Sequence, residues 1–300
     1  MKEENVPEGY TLSIDDKDPA HPVLTNKHEP AVTQVKVTKK WDDANNQDGL
    51  RPKEIRVQLY AGDQKLGKEV VLSADNKWTH TFEKLAEKAN GQAIHYSVKE
   101  VDVPEGYTVT EESKDKGDVV LTNTHTPSTV DIPVTKIWVD NDNQDGLRPA
   151  KITVKLLANG GEVARKDITS ETDWKETFTG LPKFKDGKEI VYTLQEEKVE
   201  NYSPSIDQES YTITNTHTPG KTTLSVTKQW DDQEDKDGLR PKSVKVQLYA
   251  DGKKSGEVIE LSAENKWTHT FADLDKNVKG KAITYTVEEV DVPTGYQVTK

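Results

Sequence analysis

Cysteine is absent from the 300 residues, so no disulfide, iron–sulfur cluster, thiolate zinc site or cysteine nucleophile can form. The compartment stays open, because a secreted chain also does without cysteine when something else staples it. Long apolar runs are missing as well. None approaches the roughly 18 residues of a membrane span, and the start Met1-Lys2-Glu3-Glu4 is not a signal peptide. Cations are outnumbered: 41 Lys and Arg face 53 Asp and Glu, a net charge of −12. Affinity for a phosphate backbone comes from clustered Lys and Arg, so nucleic acid is not an expected partner. Large apolar residues are sparse too. Val, Leu, Ile and Phe total 64 residues, just above the roughly 20% below which a highly charged chain stays disordered. No nucleophile elbow, phosphate loop or metal-ligand cluster appears, which disfavours a turnover enzyme and gives no reason to expect a cofactor.

What is present is repetition. Asp48-Gly49-Leu50-Arg51-Pro52 returns as Asp145-Gly146-Leu147-Arg148-Pro149 and as Asp237-Gly238-Leu239-Arg240-Pro241. Val37-Thr38-Lys39-Lys40-Trp41 returns at Val134 to Trp138 and at Val226 to Trp230. Leu121-Thr122-Asn123-Thr124-His125-Thr126-Pro127 matches Ile213 to Pro219, with an earlier copy at Leu24 to Pro30. In this frame residues 31–127 and 128–219 are complete modules, 1–30 is the end of one, and 220–300 stops before its last strand. The segment reads as cut from a longer array, and Met1 falls where the other units have Val98, Leu194 and Val287. Short Pro-bearing links (Pro30, Pro127, Pro219) favour a semi-rigid rod of neighbouring modules.

Inside a module, apolar and polar residues alternate over short stretches rich in Val, Thr, Ile and Tyr, bounded by Gly, Asn, Asp and Pro. That is the pattern of half-buried antiparallel strands, about seven to a module, forming a β-sandwich. Glu83 to Asn90 alone has a helical look. Its counterpart Gly180-Leu181-Pro182-Lys183 argues instead for a loop or single turn.

Strand parity puts three polar residues on the apolar face. Val35, Val37 and Trp41 share a face with Lys39; the later copies repeat this with Lys136 and Lys228. A later strand runs Tyr96, Val98, Glu100, with equivalents ending in Glu196 and Glu289. The last strand runs Val119, Leu121, Asn123 and, in the next module, Tyr211, Ile213, Asn215. Burying such groups unpaired costs several kcal/mol each. A rim position, where the Lys stem packs and its ammonium reaches water, explains one copy more easily than matching trios in both complete modules. Burial lowers a Lys pKa and raises a Glu pKa, so the amine can be a nucleophile while the acid holds a proton. Attack on the Asn carboxamide, with Glu shuttling protons and ammonia leaving, would give a Lys–Asn isopeptide bond.

The Lys two before Trp, the Trp-x-x-x-Phe stretch, Tyr-x-x-x-Glu and the closing (Leu/Ile)-Thr-Asn strand together resemble the Cna protein B-type domain of Gram-positive surface proteins. The likeness covers essentially the whole chain. It implies an all-β fold of tandem inverse-immunoglobulin, transthyretin-like sandwiches. It also implies autocatalytic bonds Lys39–Asn123, assisted by Glu100, and Lys136–Asn215, assisted by Glu196. Lys228 and Glu289 lack an Asn, and Glu3 and Asn26 lack a Lys, so these half-sites cannot complete a bond alone. A cell-wall-anchored adhesin or pilin stalk, extracellular at the cell surface, is implied in the same way; no sorting motif is visible.

Two other signals are read conservatively. Asn141, Asn143, Asp145 and Gly146 fit the start of a calcium loop, but Ile152 stands where a bidentate Glu is needed, so no metal is expected. His28, His125 and His217 have no nearby His or Cys and read as surface residues at the joints. The leading function is a mechanical spacer. Direct binding of a host matrix protein or glycan by avidity is the alternative, which the inward parity of most Trp residues disfavours.

Overall fold

The computed structural model describes residues 2–114 and 117–299. The reading of Met1 lies outside them. Strands β1 (Tyr10–Asp15) and β2 (Val23–His28) form an exposed antiparallel hairpin. The first full repeat contains β3 (Val32–Asp42), β4 (Glu54–Ala61), β5 (Gln64–Ser73), β6 (Thr79–Ala86), β7 (Lys88–Ala89), β8 (Gln92–Ala93), β9 (Tyr96–Glu100), β10 (Thr108–Ser113) and β11 (Val119–Thr124). The second contains β12 (Thr129–Val139), β13 (Lys151–Ala158), β14 (Gly161–Thr169), β15 (Lys175–Pro182), β16 (Phe184–Lys185), β17 (Lys188–Glu189), β18 (Tyr192–Glu196), β19 (Ser203–Asp207) and β20 (Thr212–Thr216). The third contains β21 (Lys221–Thr227), β22 (Ser243–Ala250), β23 (Lys253–Ser262), β24 (Thr268–Asp275), β25 (Asn277–Val278), β26 (Lys281–Ala282) and β27 (Tyr285–Glu289).

The chain is all-β, a tandem series of β-sandwiches, as the alternation predicts. In the first repeat a four-stranded sheet of order β10-β11-β3-β6 faces a three-stranded sheet of order β5-β4-β9. The second repeat has the same plan, β15-β12-β20-β19 over β14-β13-β18. In the third, β21-β24 accompanies β23-β22-β27. The chain divides into two compact units, one of the residues up to Val130 with Gly180–Ile190, the other of Asp131–Thr179 with the residues from Val191 on.

Period-two alternation turns every second residue inward. In the first repeat Val35, Val37, Ile55, Val57, Leu59, Leu72, Val98, Val119 and Leu121 meet in one buried cluster. Each such side chain gives roughly 1.5 to 3 kcal/mol on burial, which is how so lean a chain sustains a core. The first and last strands of the repeat, β3 and β11, are direct neighbours and run parallel, with Leu121 opposite Lys39 and Asn123 opposite Trp41. Strands β12 and β20 repeat the register, with Lys136 opposite Ile213 and Trp138 opposite Asn215.

One local expectation is corrected. Glu83 to Asn90 is not a loop or single turn: β6 continues to Ala86 along β3, and Lys88–Ala89 pairs with Gln92–Ala93 in a small hairpin. Pairing with β3, which is absent from any local reading, supplies the hydrogen bonds that override the helical composition. The counterpart behaves alike, with β15 reaching Pro182 and β16 pairing β17. Trp78 also leaves the strand pattern, since it turns into a left-handed conformation (φ 59°) just before β6 and packs against the core edge.

Candidate cross-linking site

In the first repeat Lys39 on β3, Asn123 on β11 and Glu100 on β9 of the facing sheet meet inside the sandwich. The side chains of Lys39 and Glu100 are fully shielded from solvent, and Asn123 is buried as a residue. Asn123 Nδ2 donates to Glu100 Oε1 at 2.9 Å, while Lys39 Nζ lies 3.8 Å from Glu100 Oε2 and donates to the Lys40 carbonyl at 2.9 Å. Glu100 Oε2 and Asn123 Oδ1 have no hydrogen-bond partner, an unusual state for buried polar atoms. The indole of Trp41 forms the floor, with Nζ 4.1 Å from its ring centroid.

Burial lowers the Lys39 amine to about 8 despite the neighbouring Glu100 carboxylate, and burial raises Glu100 against the opposing effects of Asn123 and Lys39. An amine at about 8 rather than 10.5 is neutral roughly 300 times more often near pH 7. The same two shifts ease proton transfer from Lys39 to Glu100.

The second repeat reproduces the arrangement. Asn215 Nδ2 donates to Glu196 Oε1 at 3.2 Å, and Lys136 Nζ lies 3.2 Å from that same oxygen as an ion pair without hydrogen-bond geometry. Burial lowers Lys136 to about 8. Its Nζ stands 4.5 Å from the Trp138 ring centroid. In the third repeat Lys228 Nζ donates to Glu289 Oε2 at 2.9 Å, with Trp230 below at 4.6 Å. These groups line an open groove with Val226, Val246, Leu261 and Val287. At the other end Asn26 Nδ2 donates to Glu3 Oε1 at 3.0 Å on the exposed hairpin. Structure thus brings together both complete trios and both half-sites.

Beside the lysine and glutamate of each of the three repeats stands a cluster that sequence reading passed over. Buried Asp43 takes a fork from Arg51, 3.0 Å to Nε and 2.5 Å to Nη2, together with the Tyr107 hydroxyl at 2.8 Å and the Asn46 amide at 2.9 Å. Tyr107 packs edge-on against Trp41 at 5.1 Å, so the carboxylate fixes the indole beneath the lysine. Asp140, Arg148, Tyr202 and Trp138 form the second copy. Asp232, Arg240, Tyr296 and Trp230 form the third. The recurrent Arg of the Asp-Gly-Leu-Arg-Pro motif was the available signal. In the second copy this cluster also accounts for the loop that begins like a calcium site: Asp140 and Asn143 fold it by accepting backbone amides and binding Arg148.

Burial alone would raise Asp43, yet the bonds from Arg51, Asn46 and Tyr107 prevail and hold it at about 2, as their equivalents do for Asp140. Both folded values lie below the ordinary 3.8. Their stabilisation is therefore complete above pH 3.8 and lost as pH falls through 3.8 towards 2. Arg51→Ala, which strands a buried carboxylate, is expected to cost about 3 kcal/mol in urea denaturation at pH 7. That loss should shrink below pH 3; a loss independent of pH would refute the pairing as its cause.

A family model described as the Cna protein B-type domain matches residues 35–124, 132–216 and 224–300. The collagen adhesin of Staphylococcus aureus is 48% identical over 273 residues, 91% of this chain and 23% of that protein. The chain thus spans about a quarter of the length of this curated relative. A crystal structure of two B repeat units, B1 and B2, of the Staphylococcus aureus collagen binding protein superposes with a TM-score of 0.60 at 46% identity. It covers 97% of this chain and 76% of that one.

Proposed function

This chain belongs to the Cna protein B-type domain family, and from that premise we propose that it is a spacer in the stalk of a surface adhesin, stapled by internal amide bonds. The observation that carries the reading is the buried trio, present at matching positions in the first and second repeats.

The reaction balances within each trio. Glu100 takes a proton from Lys39 as the neutral amine attacks Cγ of Asn123. The proton then passes to the departing nitrogen, the Cγ–Nδ2 bond breaks, ammonia leaves, and Glu100 returns to its starting state. Lys136, Glu196 and Asn215 do the same in the second repeat. A single turnover converts a buried amine and carboxamide into a neutral secondary amide, which removes the standing cost of a buried cation.

The joined strands are the first and last of each repeat. Tension entering along β3 crosses to β11 through the new bond and bypasses the 85 residues from Lys39 through Asn123. An array of this kind holds its length under load, as suits a stalk outside the cell that carries a ligand-binding region away from the wall. Collagen adhesin is the name of the relative; in this chain the observations support the spacer role.

Single-molecule pulling from the two ends tests the proposal. The first two repeats are expected to release no loop, whereas Lys39→Ala should restore a step of up to about 290 Å, from 85 residues, and Lys136→Ala one of up to about 270 Å, from 80 residues, at roughly 3.4 Å per residue. Steps of that length from the unaltered repeats would overturn it.

A further inference from the structure

Two histidines that the cross-linking chemistry leaves unused stand where one repeat meets the next, and in both the ring nitrogens face acceptors. Within the first compact unit, His125 Nδ1 lies 2.8 Å from the Gly106 carbonyl oxygen and Nε2 lies 3.0 Å from Asp48 Oδ2. Within the second, His217 Nδ1 lies 3.0 Å from the Asn201 carbonyl and Nε2 lies 2.9 Å from Asp145 Oδ2. A neutral imidazole carries one N–H and would turn a lone pair towards the other acceptor. Only the imidazolium donates to both. The same carboxylate oxygens also accept a backbone amide, from Ser128 at 2.8 Å and from Gly220 at 2.8 Å, so they act as ionised acceptors.

These aspartates hold the links. Ser128 and Gly220 lie in the chain that leads into the following repeat, and the Ser128 carbonyl accepts from Lys183 at 2.9 Å. The preceding residues complete the seam: the Gln47 carbonyl accepts from Gly187 at 3.0 Å and the Gln144 carbonyl from Gly280 at 3.0 Å. Gly187 and Gly280 belong to the small hairpins of the next repeat. They press so closely on Gly49 and Gly146 that a Cβ on either partner would strike backbone.

We propose that each joint is a proton-held clamp, in which the His125 or His217 imidazolium fixes the aspartate that binds the link, so that the joints loosen as the medium turns alkaline.

The surrounding charges agree. His125 is faced by Asp48 and, farther off, Asp43, with the Tyr107 ring at 5.4 Å; His217 is faced by Asp145 and Asp140, with Tyr202 at 5.5 Å. From the following repeat, Asn277 donates to Asp145 at 3.1 Å, the Lys276 stem lies against Gly220, and Asp275 stands close enough to sense Asp145. The hydrogen bond to the carboxylate is the main influence on each histidine, and both are raised above 6.5. A raised folded value means that the clamp is complete below the ordinary histidine range and is lost as pH climbs through the folded value.

Nuclear magnetic resonance on the whole chain tests this. Both rings are expected to be doubly protonated below a midpoint that lies above about 6.5. Amide protection at Ser128 and Gly220, corrected for intrinsic exchange, should fall five- to tenfold with that same midpoint, about one hydrogen bond's worth. His125→Gln and His217→Gln should hold protection at the lower value at every pH. Asp48→Asn, which keeps an acceptor for Ser128, should lower the His125 midpoint in a repeat that stays folded. A single-N–H tautomer with a midpoint below 6.5, or protection that ignores the titration, would overturn the clamp.

Discussion

Asn123→Ala and Asn215→Ala are each expected to lower the stability of their repeat by about 4.5 kcal/mol. Treated as a cross-link between the ends of an 85- or 80-residue loop, the amide removes that much chain entropy from the unfolded state. A domain of this size holds roughly 5 to 15 kcal/mol in all, so the loss takes from about a third to nearly all of it. At about 4 to 8 °C per kcal/mol, the melting temperature should drop by about 20 °C or more. Core packing is left alone, because Val119 and Leu121 still fill their places beside Asn123. Calorimetry of each variant beside the parent reads the effect. A fall of only a few degrees would mean that no covalent tie had been lost.

Abolition of the bond with the fold retained is the second large effect, expected for Glu100→Ala and Glu196→Ala. Glu100 contacts both reacting side chains from the opposite sheet, and among the described residues no other carboxylate is placed to accept the Lys39 proton and pass it to the leaving nitrogen: Asp43 is held ionised by Arg51 and Tyr107. Without that relay the amine must lose its proton to a site closed to solvent. Peptide mapping should then find Lys39 and Asn123 on separate fragments in Glu100→Ala, with Lys136 and Asn215 still joined. Full joining of Lys39 to Asn123 in that variant would remove Glu100 from the chemistry.

Much of this was legible in the sequence because strand parity is a local property. Lys39, Glu100 and Asn123 each fall on the apolar side of a short alternating stretch, and burial followed in the same order. Alternation is blind to which strands adjoin. The parallel contact of β3 with β11, which sets Lys39 beside Leu121, joins residues some eighty positions apart. The extension of β6 through Glu83 to Ala86 was hidden for the same reason: its partner Val32 to Thr38 lies far back in the chain. The Asp43, Arg51 and Tyr107 cluster depends on two separate loops, β3 to β4 and β9 to β10, converging on one indole. Repetition of Arg51 as Arg148 and Arg240 marked the residue without revealing its carboxylate. At the joints, the local sequence shows no His or Cys near His125, and the partner its ring does meet, Asp48, lies 77 residues away.

The most direct measurement is the intact mass of the purified, folded chain. Lys39 joined to Asn123 and Lys136 joined to Asn215 require a mass lower than that of the sequence by two molecules of ammonia, with one of the two restored in Glu100→Ala. A folded chain whose mass equals the sum of its residues and one water would contradict the account.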